Sequence, residues 1–174
     1  VLPIGPVNVF ARELGLPLHY RRAWEIICQG RESTIDVPRA EFQTQVGPRQ
    51  LCFVQMAGCG LDARAVELLD WELKKRIGQF AYLVSGAKAL RERTAPIHAI
   101  GQHSTATGQL VLIGNGRLYG GPVPLFHRAE LSDGLLDVCV FPRVNWFVIL
   151  RYACACLSPK LLLRGPERPF QTPT

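Results

Sequence analysis

Apolar and polar positions along this chain follow two different periods. Leu110–Ile113 is an unbroken apolar run, which suits a strand buried on both faces. Leu135–Phe141 is an alternating, β-rich run introduced by the turn signal Ser132-Asp133-Gly134. Leu51–Met56 reads as another strand, residues 33–46 as short alternating strands around Asp36 and Pro38, and residues 96–109 as strands with a turn near Ala106–Gly108. In between, the period lengthens. Val66, Leu69, Leu73 and Ile77 recur on one face, with Glu67, Asp70, Lys74 and Lys75 outside, which predicts a helix over about residues 63–76. Gly78 separates it from a second helix whose apolar face is Phe80, Leu83, Val84, Ala87 and Leu90.

Three further helices flank these elements. Asn8 suits an N-cap for a helix from Val9 to about Leu14, with Gly15 as its C-cap and Pro17 as a stop. Residues 21–30 predict a short helix ended by Gly30, burying Trp24 and Ile27 or Cys28. Val144–Leu157 predicts a mostly apolar core helix. Short strands with frequent turns, interrupted by a helical pair, predict a mixed α/β fold dominated by an antiparallel β-sandwich. The helices of residues 63–91 should pack at one end. A parallel, doubly wound sheet would contradict this.

Composition changes the picture only slightly. At 174 residues with 48% hydrophobic and 20% charged residues, the chain suits one domain with a real core. The net charge of +6 favours an anionic partner without choosing among nucleotide, phospholipid head group and nucleic acid. Cys28, Cys52, Cys59, Cys139, Cys154 and Cys156 form no C-x-x-C pair and are expected to be reduced, most of them buried. The longest apolar run, Trp146–Leu150, falls well short of the roughly 20 residues of a membrane span. His98 and His103 would face opposite sides of one strand, and His19 and His127 are isolated, so no histidine metal site or base is assigned. Lys74-Lys75-Arg76 and Arg91–Arg93 read as solvated helix ends, with contact to anionic lipid the lesser alternative. Leu161–Leu163, between Lys160 and Arg164, suits either a membrane surface or a short strand.

Chemistry enters through the glycines. Gly58-x-Gly60-x-x-Ala63, between a strand and a helix, fits the dinucleotide fingerprint on its face. That fingerprint also needs a second βα unit, whereas the next 30 residues read as helix. A second glycine cluster, Gly114, Gly116, Gly120 and Gly121, precedes Ser132-Asp133-Gly134. Asn115-Gly116-Arg117, Tyr119-Gly120-Gly121 and Leu131-Ser132-Asp133-Gly134-Leu135-Leu136-Asp137-Val138 strongly resemble the bacterial diacylglycerol kinase and lipid kinase family, which includes the sphingosine and ceramide kinases. Two other segments agree. Leu2, Pro3, Gly5, Asn8, Ala11, Arg12, Leu14, Gly15 and Pro17 resemble the signature L-P-x-G-T-x-N-x-x-A-R-x-L-G-x-P, which closes the family's nucleotide-binding domain. Phe53, Ala57, Gly58, Gly60, Asp62 and Ala63 resemble F-x-x-x-A-G-x-G-x-D-A.

The resemblance implies the C-terminal β-sandwich-like domain of the lipid kinase and NAD kinase-like fold, with an inserted helical pair. It divides the chain into residues 1–19, the end of the nucleotide-binding domain; 20–157, the β-rich lipid-side domain; and 158–174, an irregular tail. It implies Gly5 and Asn8 as nucleotide-binding residues, and a lipid cleft with Gly58, Gly60, Asp62, Asn115, Gly120 and Gly121. Asp62 also suits an N-cap. A structural Mg²⁺ would be held by the Asp133 carboxylate and the carbonyls of Glu130 and Leu135, oxygen ligands that suit a hard cation. The competing account of Asp133 is a plain turn residue that accepts backbone N–H groups.

By resemblance the parent protein is an ATP-dependent kinase of the hydroxyl of a diacylglycerol-like or long-chain lipid. It would be cytoplasmic, peripheral to the inner face of the membrane, with room for a homodimer and no nucleic-acid partner. Three departures stand against activity in this chain. Pro6 replaces the family's Thr, with neither its hydroxyl nor an N–H. The G-G-D-G-T phosphate loop and the D-G-E base segment do not occur in the sequence, so no catalytic residue is assigned. The chain is therefore expected to be an inactive internal fragment; the alternative is a non-catalytic lipid- or partner-binding remnant of the family.

Overall fold

In the computed structural model, which describes all residues except 31, 79, 93, 103, 158–169 and 174, two apolar strands organise the chain. The elements run α1 (Val9–Glu13), α2 (Tyr20–Cys28), β1 (Arg39–Thr44), β2 (Gly47–Cys52), β3 (Met56–Gly60), α3 (Leu61–Glu67), α4 (Trp71–Ile77), α5 (Phe80–Leu90), β4 (Ile97–Ile100), β5 (Thr105–Gly108), β6 (Leu110–Gly114), β7 (Leu118–Tyr119), β8 (Val123–Pro124), β9 (Leu135–Phe141), α6 (Trp146–Leu157) and β10 (Phe170–Pro173).

β6 pairs with both β3 and β9, and β10 completes a four-stranded sheet in the order β10-β9-β6-β3, antiparallel throughout. Strand side chains alternate between faces, so β6 and β9 feed two cores at once. Leu110, Leu112, Cys139 and Phe141 point to one face, where Leu61, Ala65, Ala89 and Val144 from the helical side cover them. Val111, Val138 and Val140 point to the other, against Ile97, Ala99 and Ala106 of the β4-β5 hairpin. The unbroken apolar run of β6 is what two-sided burial requires.

Several elements differ from the sequence reading. The helix expected over residues 63–76 is two. Asp70 accepts the N–H groups of Glu72 and Leu73 at 2.9 and 3.1 Å, so it caps α4 and ends the stripe that appeared continuous. In α5 the buried residues are Ala81, Ser85 and Ala89; small side chains let it approach α3 closely. α2 buries Ala23, while Trp24, Ile27 and Cys28 are exposed. α6 begins on Asn145, whose Oδ1 accepts the N–H groups of Phe147 and Val148 at 3.0 and 3.1 Å. It is not a wholly buried helix, because Trp146, Phe147 and Leu150 are exposed. Segment 32–38 forms no strand, and the turn in residues 96–109 lies between Ile100 and Thr105.

Phe170–Pro173 pairs with β9 where irregular chain was expected. Cys139 is buried, but Cys28, Cys52 and Cys59 are exposed; no disulfide joins the described cysteines. His103, Arg93 and the apolar stretch Leu161–Leu163 lie outside the described residues. No helix among the described residues is long and apolar enough to cross a membrane.

Candidate functional site

Between the helices and the sheet lies an apolar cavity of about 530 Å³. Leu110, Leu112 and Phe141 form its base, α3 contributes Asp62, Ala65 and Val66, α5 contributes Tyr82, Leu83 and Gly86, and α6 contributes Val148, Ile149 and Arg151. Residues 6–9 form a further wall. Polar side chains in the wall are few, as in sites that hold an apolar ligand and orient it by a small number of polar groups.

The central polar group is Asp62. It follows Gly60, whose φ of 76° sends the chain from β3 into α3, and a Cβ on Gly58 would strike the Asp62 carboxylate. Tyr119 donates its hydroxyl to Asp62 Oδ1 at 2.6 Å. Burial pushes the Asp62 carboxyl up from its ordinary value, against the opposing pull of the Tyr119 hydrogen bond. A carboxyl held this way among apolar walls can accept a hydrogen bond from a ligand hydroxyl. Across the cavity Lys74 lies over the Trp71 and Tyr82 rings, at 4.3 and 4.9 Å from their centroids, and donates to the Tyr82 hydroxyl at 2.9 Å.

The wall at residues 6–9 is tied down by Glu13, whose side chain is 3% exposed. Glu13 accepts from Gln55 Nε2 at 2.8 Å, the Leu118 N–H at 2.8 Å and Arg117 Nε at 3.2 Å. Burial alone would raise this carboxyl, but the donors around it outweigh burial and hold it below its ordinary value. Its stabilisation is therefore present above the unfolded value near 4.5 and is lost as pH falls through the lowered folded value.

Sequence-assigned residues divide accordingly. Asp62, Gly120 and Asn8 line the cavity, whereas Gly5, Gly58, Gly60, Asn115 and Gly121 are not in its wall. Asn8 stands at the N-cap position of α1 with φ 54°, but its side chain does not cap that helix. It pairs with Gly5 instead, accepting from the Gly5 N–H at 2.8 Å and donating to the Gly5 carbonyl at 2.7 Å.

Asn115 is fully buried, and its Nδ2 donates to the carbonyls of Asp36 and Val54 at 3.1 and 3.0 Å. It joins separated segments and does not face the cleft. Asp36, which the sequence marks only as a residue near a proline, extends the same network. Its N–H donates to the Leu131 carbonyl at 2.7 Å and its Oδ2 accepts the Gly134 N–H at 2.7 Å.

The turn that carries Glu130, Asp133 and Leu135 is closed by protein hydrogen bonds. Asp133 Oδ1 accepts the Leu135 N–H at 2.9 Å, beside the Asp36–Gly134 bond. The described residues bring no three or more His, Cys, Asp or Glu side chains together as metal ligands. The turn's donor set, one carboxylate and two carbonyls, is all oxygen, the ligand type that hard cations take. His98 Nδ1 lies 2.9 Å from Thr107 Oγ1 and His19 stacks on Tyr20, so neither histidine belongs to the cavity.

Residues 55–156 match the family described as the YegS C-terminal NAD kinase beta sandwich-like domain. The chain belongs to this family. The YegS domain family assignment agrees with similar whole proteins. A "probable lipid kinase YegS" of Shigella dysenteriae is 30% identical over 144 residues, covering 81% of this chain and 46% of that protein. A "probable lipid kinase YegS-like" protein of Stenotrophomonas maltophilia is 33% identical over 149 residues, covering 83% and 47%. The chain thus spans about half the length of these relatives. The crystal structure of a "putative diacylglycerol kinase" from Bacillus anthracis superposes with a TM-score of 0.62 at 24% identity, covering 97% of this chain and 52% of that one. At that identity the likeness is one of fold.

Proposed function

We propose that this YegS-family domain is the lipid-side part of an ATP-dependent lipid kinase. Its cleft would take the alkyl chain of a diacylglycerol-like or long-chain lipid alcohol, and Asp62 would accept a hydrogen bond from the hydroxyl to be phosphorylated. The observation that carries this reading is an apolar cavity of about 530 Å³ with a half-buried Asp62–Tyr119 pair in its wall. Phosphoryl transfer depends mainly on positioning and charge stabilisation. In this reading the domain binds, excludes water from the chain and orients the hydroxyl. Titration calorimetry against a long-chain monoacylglycerol and its methyl ether tests it. The alcohol should bind more tightly, and equal affinities would contradict a hydroxyl-reading site.

ATP enters as the co-substrate of the whole enzyme, met by Asn8 in the cavity wall and by Gly5, which is paired with Asn8 outside that wall. Pro6 in the cavity wall favours a second reading, a lipid-binding domain without catalysis. Under both readings the 174-residue chain alone should transfer no radiolabelled phosphate from ATP to diacylglycerol, since its sequence contains neither G-G-D-G-T nor D-G-E. Transfer above blank that is lost in a cleft variant would contradict this.

A Mg²⁺ held by the Asp133 carboxylate and the carbonyls of Glu130 and Leu135 belongs to the same proposal and would brace the turn. Mg²⁺ should then raise the melting temperature, and Asp133→Asn should abolish the gain. Melting that ignores both Mg²⁺ and EDTA would leave Asp133 as a turn residue closed by the Leu135 N–H.

Membrane contact rests on exposed apolar residues: Trp71 on α4, the helix that also carries Lys74, Lys75 and Arg76, and Trp146, Phe147 and Leu150 on α6. Amphipathic helices with such residues bind anionic interfaces. The chain should sediment with vesicles containing phosphatidylglycerol more than with phosphatidylcholine alone, and Trp146→Ser with Phe147→Ser should reduce that. Equal sedimentation with both vesicles would count against it. A homodimer is compatible with this arrangement, and no nucleic-acid partner is proposed.

A further inference from the structure

We propose that Gly86 sets the length of alkyl chain that the cleft accepts; this rests on the lipid-cleft reading above. Gly86 lies in the interior of α5, an eleven-residue helix, where glycine is destabilising relative to alanine. Gly120, also in the cavity wall, has a left-handed φ of 59°, and glycines elsewhere in the fold have a steric reason. A Cβ on Gly60 would strike the Gln109 carbonyl, and one on Gly114 would strike the Phe126 ring. Gly86 has no such reason: among the described residues a Cβ there would meet no heavy atom within 4 Å, and its backbone is not left-handed.

What the missing side chain leaves open is cleft. Gly86 lines the cavity with Leu83, close to one turn before it, and with Val148 and Ile149 of α6. The cavity of about 530 Å³ is bounded by α5 and α6 on this side, so an alkyl chain that enters it reaches a limit there. A side chain at position 86 grows into that space without disturbing any packed neighbour, so the position controls usable depth independently of folding.

The test is displacement of the neutral probe N-phenyl-1-naphthylamine from the 174-residue chain by 1-monoacylglycerols of increasing length, delivered from cyclodextrin. For the unaltered chain, affinity should rise with length and level off once the chain fills the cavity. Gly86→Leu should move that break shorter by roughly four carbons, the size of the added side chain, and Gly86→Ala by roughly one. Both variants should melt no lower than the unaltered chain, because each improves helix propensity.

If Gly86→Ala or Gly86→Leu melts normally yet keeps the original break, Gly86 does not set the length and the inference fails while the cleft reading stands. If no monoacylglycerol of any length displaces the probe from the unaltered chain, the cleft reading itself fails and takes the inference with it. If Gly86→Leu does not fold, the premise of open space at position 86 is wrong and the inference is overturned.

Discussion

Asn115→Ala is expected to destabilise the domain by about 3 kcal/mol. For a domain of this size that lowers the melting temperature by about 6–12 °C. Asn115 is 0% exposed, and its amide donates to the Asp36 and Val54 carbonyls. Alanine would take the amide donor from both carbonyls and open a cavity next to Gly114. The loss should spread, because Asp36 also holds the Gly134 N–H and so reaches the turn into β9. Asn115→Asp should be as damaging, since it exchanges the donor for a second acceptor facing two carbonyls. Asn145→Ala provides the scale: it removes only the cap of α6 and should cost about 1 kcal/mol. Chemical denaturation of the three variants checks the order. A loss at Asn115 no larger than at Asn145 would mean that the buried amide is not the hub its bonds suggest.

Asp62→Asn is expected to act in opposite directions on binding and stability. An asparagine keeps a carbonyl oxygen that Tyr119 can share but carries no charge, so a lipid hydroxyl loses its charge-assisted acceptor. Hydrogen bonds to a charged group contribute about 1.5–3 kcal/mol, so affinity for a long-chain alcohol should fall by roughly tenfold to a hundredfold. Stability should rise at neutral pH. The folded state carries the Asp62 carboxylate at a cost because burial raises its pKa. That cost is absent below the ordinary value of 3.8, grows as pH climbs from there through the raised folded value, and is complete above it. The melting advantage of Asp62→Asn should therefore shrink on acidification and vanish near pH 4. A variant with unchanged affinity, or one less stable at neutral pH, would show that Asp62 serves the fold and not a ligand.

The strands were the most legible part of the chain. Leu110–Ile113 and Leu135–Phe141 have the periods of buried strands, and the structure places β6 and β9 at Leu110–Gly114 and Leu135–Phe141. The helices were less so, for two physical reasons. An apolar stripe continues through Asp70 even though that residue caps a new helix. The wall of an empty apolar cleft also has the composition of a core, so Leu83 of α5 read as core when it lines the cavity.

Side-chain partners are less legible. Asn115, which the resemblance assigns to the cleft, bonds in the structure to the carbonyls of Asp36 and Val54, far away in sequence. Glu13 and Asp36 gave no local signal at all, because their roles depend on donors from the Gly116–Tyr119 region and the Asp133 turn. Asp62, whose ligand role is a proposal, stands out in the sequence because Gly58 and Gly60 frame it at a strand-to-helix turn, with its side chain packed against Gly58.

The central claim is that one alkyl chain lies between α3, α5 and α6 with its hydroxyl toward Asp62. Photo-crosslinking with a monoacylglycerol that carries a diazirine near the chain end, followed by peptide mapping, tests it most directly. The label should fall on peptides containing Leu83 of α5 and Val148 of α6, should be competed away by unlabelled monoacylglycerol, and should weaken with Asp62→Asn. Labelling concentrated instead on the exposed apolar residues of α2, Trp24 and Ile27, and indifferent to Asp62, would contradict the account.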